Sequence, residues 1–383
     1  MKSSLKLSSW LDSCQAPSVL MIDDLSDAYV DKYREPYKND WGYLTDQTGG
    51  CFDYISKNLL SKYPHIKISF FVPYLRHNVI KDSSNVIKYD IADREEFISF
   101  LNQLVQLGHE VCCHGSNHGM YIDGKWFQEW DLFESQDEAN TMVKKAKEYF
   151  YNNFDFRISG GKYCGYKYNE YSDVSIAFGD FKYWCKDARL DLKSDIKEND
   201  NGFLEFPTNI AGNVFVKYLY KKEVIWKDIL SKILFPLQYF KNRKSTRELR
   251  CAITLGKIIS IQEHYSPSTT RGLVQSCNVI SDIESLQRIY SILSDYDIWY
   301  ATCEEVTDYY SLRESSSIVV SHDNINVRVG SQSVVKEALT IESNCKFKLI
   351  SEFGEEFVAI YKDSRFFITI VVSSGDNNYT LIK

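Results

Sequence analysis

Residues 18–24 read Ser-Val-Leu-Met-Ile-Asp-Asp, an apolar run that ends in two adjacent carboxylates. An unbroken apolar run with β-branched residues is typical of a strand buried on both faces of a parallel sheet. The carboxyl ends of parallel strands meet at one edge of a sheet or one mouth of a barrel, where functional sites form. Asp23 and Asp24 are therefore predicted to lie at such an edge.

Strand and helix patterns alternate for about 300 residues along the chain. The clearest is a helical pattern over 93–107, which stops at Gly108 and leads into a strand from Glu110 to Cys113. Other helix or strand patterns cover 66–73, 134–151, 154–158, 203–206, 222–242, 257–262, 282–294 and 298–301. This alternation predicts an α/β fold with a mostly parallel sheet, open or closed.

The character of the sequence changes after about residue 315. Short β-rich runs follow one another to the end of the chain, separated by turn-rich spacers such as Ser-Gly-Asp-Asn-Asn at 374–378. That pattern is typical of a small all-β sandwich. We therefore predict two domains, an α/β domain over 1–314 and a sandwich-like β domain over 315–383.

The overall charge and the apolar runs exclude some classes of partner. The formal net charge is −7 and the isoelectric point about 5.6, so no global basic field exists to attract nucleic acid. The sequence has no unbroken apolar run of 18 residues, and residues 1–10 lack the apolar core of a secretory signal. We expect a cytoplasmic protein without a membrane-spanning helix.

The spacing of the cysteines indicates their chemical state. None of the 10 cysteines forms a Cys-x-x-Cys pair, which favours free thiols and argues against a zinc site built from cysteines.

Aromatic residues make up 15% of the chain. Aromatic rings stack on sugars, but rings packed in the core and strands are the more frequent explanation.

A possible metal site follows from two histidines four residues apart, His114 and His118. Together with Asp24 they would form a set of two imidazoles and one carboxylate, which leaves positions open for water and substrate. Neither the histidine spacing nor the Asp-Asp pair is specific alone. Surface histidines and a helix-capping aspartate are alternatives for each.

The same residues resemble motifs of the polysaccharide deacetylase family, also called NodB-homology or carbohydrate esterase family 4 proteins. The resemblance covers roughly residues 16–312. It is carried by Met-Ile-Asp-Asp-Leu at 21–25, Gly-His-Glu-Val-Cys-Cys-His-Gly-Ser-Asn-His at 108–118, Arg-Ile-Ser-Gly-Gly at 157–161 and Ile-Gln-Glu-His at 261–264.

The resemblance implies a fold and a role for each site residue. The fold would be a distorted (β/α) barrel of about seven strands. Asp24, His114 and His118 would bind a divalent metal, with Zn²⁺ expected. Asp23 would be the general base, and His264 the general acid that protonates the leaving amine. Arg157 would orient the base, with Lys162 as a second candidate for this positive charge.

Four residues, at three places in the sequence, depart from the family pattern. Leu25 stands where the family has Gly, Gly115 where it has Ser or Thr, and Ser159-Gly160 where it has Pro-Tyr. These changes affect loop contacts and substrate orientation more than the chemistry.

The predicted function is that of a metal-dependent N-deacetylase acting on a sugar or glycan precursor, lipid-linked or nucleotide-linked, in bacterial surface polysaccharide biosynthesis. Two alternatives stay open. One is another amide or ester hydrolysis at the same metal, such as O-deacetylation or deformylation. The other is a non-catalytic glycan-binding protein. The sequence makes no prediction of oligomeric state.

Residues 221–250 form a basic segment within this acidic protein. They contain nine Lys or Arg and three Asp or Glu, interleaved with apolar residues. A basic amphipathic helix can lie on an anionic membrane surface, which predicts peripheral contact at the inner face of the membrane. The alternative is a helix packed on the barrel with a solvated basic rim.

Overall fold

The computed structural model describes residues 5–25, 51–75, 95–123, 125–189, 191–215, 225–265, 267–270, 273–330 and 334–382. The chain divides into two compact units. One comprises Ser18–Tyr296 with Tyr300–Glu304, and the other comprises Met1–Pro17, Asp297–Trp299 and Glu305–Lys383.

The larger unit is built on a ring of seven parallel strands. They are β1 (Ala16–Asp23), β2 (Ile68–Val72), β3 (Glu110–Cys113), β4 (Gly160–Lys162), β5 (Tyr183–Asp187), β6 (Leu204–Thr208 and Ile210–Ala211) and β7 (Ile259–His264). Each strand pairs in parallel with the next, and β7 pairs in parallel with β1. The predicted distorted barrel of about seven strands is confirmed.

Asn209 closes the ring. It separates the two halves of β6, of which the first pairs with β5 and the second with β7. Its side-chain amide donates to the carbonyl of Ile258 (2.6 Å) and its amide oxygen accepts from the backbone N–H of Ser260 (3.1 Å). Because Asn209 is buried, these bonds satisfy its polar atoms and hold the bend in β6 against β7.

Helices cover the outside of the barrel, which explains why its first strand is buried along its whole length. All eight residues of β1 are buried, as expected for a strand with the barrel interior on one side and helices on the other. The helix Glu95–Gln106 buries Phe97, Phe100, Leu101 and Leu104 at helical spacing. The other α-helices in the described part of this unit are Cys51–Ile55, Gln136–Asn153, Ser172–Phe178, Ile225–Thr254, Asn278–Ser281 and Ile283–Leu293, while Cys303–Glu314 lies mostly in the smaller unit.

Shorter strands complete this unit. Lys197–Glu198 pairs antiparallel with β6. The strand Ile298–Tyr300 is divided between the two units. Two hairpins are formed by Gly119–Ile122 with Lys125–Gln128 and by Pro267–Thr270 with Leu273–Cys277. The strand predicted over 154–158 is wrong, because Phe154 ends the helix Gln136–Asn153 and β4 begins only at Gly160.

The smaller unit contains two antiparallel sheets, so the predicted C-terminal all-β region is confirmed. One sheet has the order Lys6–Leu7, Glu337–Ser343, Arg365–Val372, Ile360–Lys362. The other has the order Ser316–Ser321, Asn324–Val329, Gly375–Ile382, Lys348–Ser351, Glu356–Val358. The N-terminal strand Lys6–Leu7 thus belongs to a β sheet rather than to the α/β part, while the domain boundary at 314 stays a prediction.

No helix in the described ranges is both long enough and apolar enough to cross a bilayer.

Candidate active site

The predicted chemistry gathers at the carboxyl ends of the barrel strands. Asp23 is the last residue of β1 and His264 the last of β7, and the two are direct partners in the strand register. His114 follows β3 directly, and Lys162 ends β4. The strand register therefore places residues that lie far apart in sequence at one mouth of the barrel.

Asp24, His114 and His118 converge on one point. Asp24 Oδ1 lies 2.9 Å from His118 Nε2 and 3.3 Å from His114 Nε2, and all three side chains are buried. Donor atoms that each bind one ion at about 2.0–2.1 Å stand roughly 3.0–3.4 Å apart, so this spacing fits a shared divalent cation. Asp24 and His118 both have positive φ angles, 67° and 68°, a conformation that ordinary residues adopt mainly at constrained sites.

Surrounding contacts orient these donors towards a cation. His114 Nδ1 lies 3.1 Å from the carbonyl oxygen of Lys162, so an N–H there donates to the carbonyl and leaves Nε2 free to bind metal. Burial opposes charge on His118, but the Asp24 carboxylate outweighs it and raises the pKa of His118 above its ordinary value. The electrostatic field at this point favours a positive charge.

Glu129 holds the loop that carries both histidines. Its carboxylate accepts hydrogen bonds from Ser116 N (2.6 Å), Ser116 Oγ (2.6 Å) and Asn117 N (3.0 Å). Gly115, with a φ of +75°, makes room for this carboxylate, since a Cβ at Gly115 would lie 1.5 Å from Glu129 Oε1. Glycine at position 115 is therefore required by the fit of this carboxylate.

Gly115→Ala is expected to displace Glu129 and loosen the histidine loop. Losing these hydrogen bonds in a buried setting should lower the free energy of unfolding by about 1–3 kcal/mol and weaken metal binding. Gly202→Ala is the matched control, because Gly202 also has a positive φ (+95°) but nothing lies within 4 Å of its added Cβ. Urea unfolding and zinc titration of both variants would check this; equal effects of the two changes would contradict the role of Glu129.

Asp23 is held as a carboxylate beside the candidate metal ligands. Its Oδ1 accepts from Lys162 Nζ (2.7 Å), its Oδ2 accepts from Gln262 Nε2 (2.8 Å), and His264 Nε2 lies 3.7 Å from Oδ2. Burial would raise the pKa of Asp23, but Lys162, with His114 and His264, outweighs burial and keeps that pKa below its ordinary value of 3.8. The group is thus ionised and available to accept a proton.

His264 lies near Asp23 Oδ2, whereas Lys162 contacts Asp23 Oδ1. Burial lowers the pKa of His264 below 6.5, although Asp23 and Asp24 counteract this in part. Gln262 shares the same face of β7 and lies 3.3 Å from the His264 ring, so it links the two titrating groups.

Lys162, not Arg157, supplies the positive charge next to Asp23. Arg157 is exposed, and its guanidinium carbon lies 5.1 Å from the centroid of the Tyr151 ring. Lys162 is fully buried, because its position at the end of β4 points it into the barrel. The second candidate, Lys162, has the required contact with Asp23, while the role of Arg157 in orienting the base stays a prediction.

Lys162→Met is expected to destabilise the protein and shift its pH dependence. Removing one member of a buried ion pair leaves Asp23 uncompensated and should lower the free energy of unfolding by about 3–5 kcal/mol. Because Lys162 lowers the pKa of Asp23, the acid limb of a kcat/KM profile should move to higher pH. Lys162→Arg should keep that limb near its original pH.

The control for this change is Lys182→Met, which removes a half-exposed ion pair with Glu304 (2.9 Å) and should cost less than about 1 kcal/mol. If the acid limb of the kcat/KM profile stayed at the same pH in Lys162→Met, Asp23 would not be the group whose titration determines that limb.

Cys164 is a further donor that the sequence analysis missed. One nitrogen of His114, one of His118 and the Cys164 Sγ lie within 4.8 Å of one another, so a buried His-His-Cys group could also hold a metal. Burial, with the charges of Glu129 and Asp24, raises the pKa of Cys164 well above 9, and its thiol donates to the His114 carbonyl (3.0 Å). We favour Asp24 as the third ligand because its oxygen lies closer to both rings.

An aromatic hairpin follows His118 directly. The ring of Trp126 lies 6.1 Å from the His118 ring, centroid to centroid. Met120 and Phe127, on the same hairpin, are partly exposed. Apolar groups therefore border the candidate metal ligands.

No protein-family model matches the sequence, and no curated protein sequence matches it either. Among solved structures, the chain is similar to a candidate polysaccharide deacetylase from Mycobacterium smegmatis, at 13% identity and a TM-score of 0.45, covering 83% of this chain and 97% of that one. It is also similar to Agd3, a carbohydrate deacetylase, at 10% identity and a TM-score of 0.48, covering 96% of this chain and 65% of that one.

A third similar structure is a CE4 family pseudoenzyme from Bacillus anthracis, at 11% identity and a TM-score of 0.37, covering 76% of this chain and 65% of that one.

Proposed function

We propose that the protein is a metal-dependent N-deacetylase that hydrolyses an acetamido group on a sugar or glycan precursor. The observation that carries this proposal is the convergence of Asp24, His114 and His118 beside a buried, ionised Asp23. A base next to open metal ligands is the arrangement required for hydrolysis of an amide.

The residues of the chain have separate tasks in this reaction. The divalent metal, when held by Asp24, His114 and His118, would act as a Lewis acid on the acyl group. Asp23 takes the proton from the attacking water; its low pKa and its contact with Lys162 keep it in the carboxylate form that can accept one. His264, on the far side of Asp23, gives a proton to the leaving nitrogen.

The hairpin after His118 supports a sugar as substrate. The ring of Trp126 offers an apolar surface on which the C–H groups of a sugar can stack, next to the groups that would perform the chemistry. A lipid-linked or nucleotide-linked sugar in bacterial surface polysaccharide biosynthesis would suit such a site.

Acyl release from a substrate panel tests the proposal. The panel would contain N-acetylated nucleotide sugars, lipid-linked sugars and oligosaccharides, with O-acetylated and N-formylated analogues, each with and without chelator. We expect chelator-sensitive acetate release from an N-acetyl substrate, with a product lighter by one acetyl group. Release only from the analogues would support another hydrolysis. No release from any substrate by the zinc-loaded protein would support a glycan-binding role.

A further inference from the structure

The C-terminal half of the helix Ile225–Thr254 carries a cationic patch that the proposed reaction does not use. The patch consists of Arg243, Lys244, Arg247 and Arg250 on this helix and Arg288 on the neighbouring helix Ile283–Leu293. Together with Tyr239, Phe240 and Thr246 these residues line an open cavity of about 750 Å³. The predicted basic segment 221–250 thus contributes four of the five cations; residues 221–224 and the side chains of 225–238 lie outside the described part of the chain.

The helix has two distinct faces. Asn242, Ser245, Leu249 and Ile253 are buried and fix the helix on its own unit. Phe240, Arg243, Arg247 and Arg250 recur at helical spacing on the opposite side and are exposed. The packed-helix alternative and the basic-face prediction therefore describe the two sides of one helix.

Two ion pairs join cations of this patch to carboxylates. Glu248 lies 3.6 Å from Lys244, and Asp295 lies 3.7 Å from Arg250. Arg288 lies over the ring of Phe215 at 4.7 Å, which holds its guanidinium in place. Residues 239–254 carry five Lys or Arg and one Glu, which gives a local positive field in a protein of net charge −7.

Exposed aromatic residues border the cations. Tyr239 is 46% exposed and Phe240 is 62% exposed. Large apolar side chains beside basic ones on a single helix face are typical of helices that rest in the headgroup region of a membrane.

The helix passes the carboxyl end of β6 at Ser245, within the stretch that carries the patch. Ser245 Oγ donates to the carbonyl of Val214 (3.4 Å), and Phe215 N donates to Ser285 Oγ (3.0 Å). Val214 and Phe215 come just after Ala211, at the carboxyl end of β6. The carboxyl ends of the strands also carry Asp23 and His264.

We propose that this patch binds the surface of an anionic phospholipid bilayer, with the guanidinium groups on lipid phosphates and Phe240 among the headgroups. This proposal goes beyond the deacetylase function and does not depend on it. Such binding would hold this helix, and the barrel on which it packs, at the surface of the membrane.

Vesicle co-sedimentation tests the proposal on the full-length protein. We expect binding to vesicles of phosphatidylcholine with phosphatidylglycerol, little binding to phosphatidylcholine alone, and release by sodium chloride. The double variant Arg243→Gln/Arg247→Gln should bind the anionic vesicles about thirtyfold more weakly, since each cation near such a surface contributes about fivefold. Phe240→Ala should weaken binding severalfold.

The matched control is Lys144→Gln/Lys145→Gln, which removes two exposed charges from the helix Gln136–Asn153. This variant should bind as the wild type does, and both double variants should keep the wild-type unfolding midpoint. Equal losses in the two double variants, or equal binding to both kinds of vesicle, would overturn the proposal. So would release by inorganic phosphate beyond that by chloride of equal ionic strength, because the patch would then be a site for small soluble anions.

Discussion

Asp23→Asn is expected to lower kcat by about 10²–10⁴-fold while the protein keeps its metal. The amide has nearly the same shape as the carboxylate, and its oxygen can still accept a hydrogen bond from Lys162. Its NH2 group only donates, so Gln262, which now donates to Asp23, would have to present its own amide oxygen. It cannot accept a proton from water, so the base is lost. Asp24 and the two histidines are unchanged, so the metal content measured by mass spectrometry should equal that of the wild type.

The control for this variant is Asp187→Asn. Asp187 ends β5, at the same mouth of the barrel, but it is exposed and pairs with Arg189 (2.8 Å). We expect this change to leave kcat within about threefold, as for a surface ion pair. If Asp23→Asn retained metal-dependent turnover near the wild-type rate, Asp23 would not be the base.

His114→Ala is expected to abolish both metal binding and turnover. His114 contributes one of three donors, and the Lys162 carbonyl sets the direction of its ring. Loss of an outer hydrogen-bond partner alone costs roughly 10–100-fold in metal affinity, so loss of the ligand itself should exceed about 100-fold. Zinc titration with a competing chelator would measure the change.

His109→Asn is the control, because His109 belongs to the same sequence motif but makes no contact of this kind. Its Nδ1 accepts from Ile68 N (3.2 Å), and burial, with Lys67, lowers its pKa to about 4. An Asn oxygen can replace that acceptor, so metal affinity should stay near that of the wild type. Full metal binding by His114→Ala would show that other donors, such as Cys164, form the site.

The barrel and the convergence of the candidate ligands could be predicted from the sequence because their causes are local. The apolar run before Asp23 and the glycine-stopped helix before Glu110 indicate buried parallel strands, and parallel strands bring their carboxyl ends together. Gln262 could have been found too, since it lies two residues before His264 and so faces the same side of β7.

Other features depend on contacts between distant segments and could not be read from the sequence. The contact of Lys162 with Asp23 depends on the position of β4, which begins at Gly160, later than the aromatic residues around Phe154 suggested. The fit of Glu129 against Gly115 joins two segments with no shared motif. The strand Lys6–Leu7 pairs with Glu337–Ser343, more than 300 residues away, and its two residues carry no strand pattern of their own.

The central claim is that Asp24, His114 and His118 bind one divalent cation. Anomalous diffraction from crystals of the zinc-loaded protein tests this most directly. We predict a single strong peak within bonding distance of Asp24 Oδ1 and the Nε2 atoms of both histidines. A peak bonded to Cys164 and the histidines but away from Asp24, or no peak beside these residues at full zinc loading, would contradict the account.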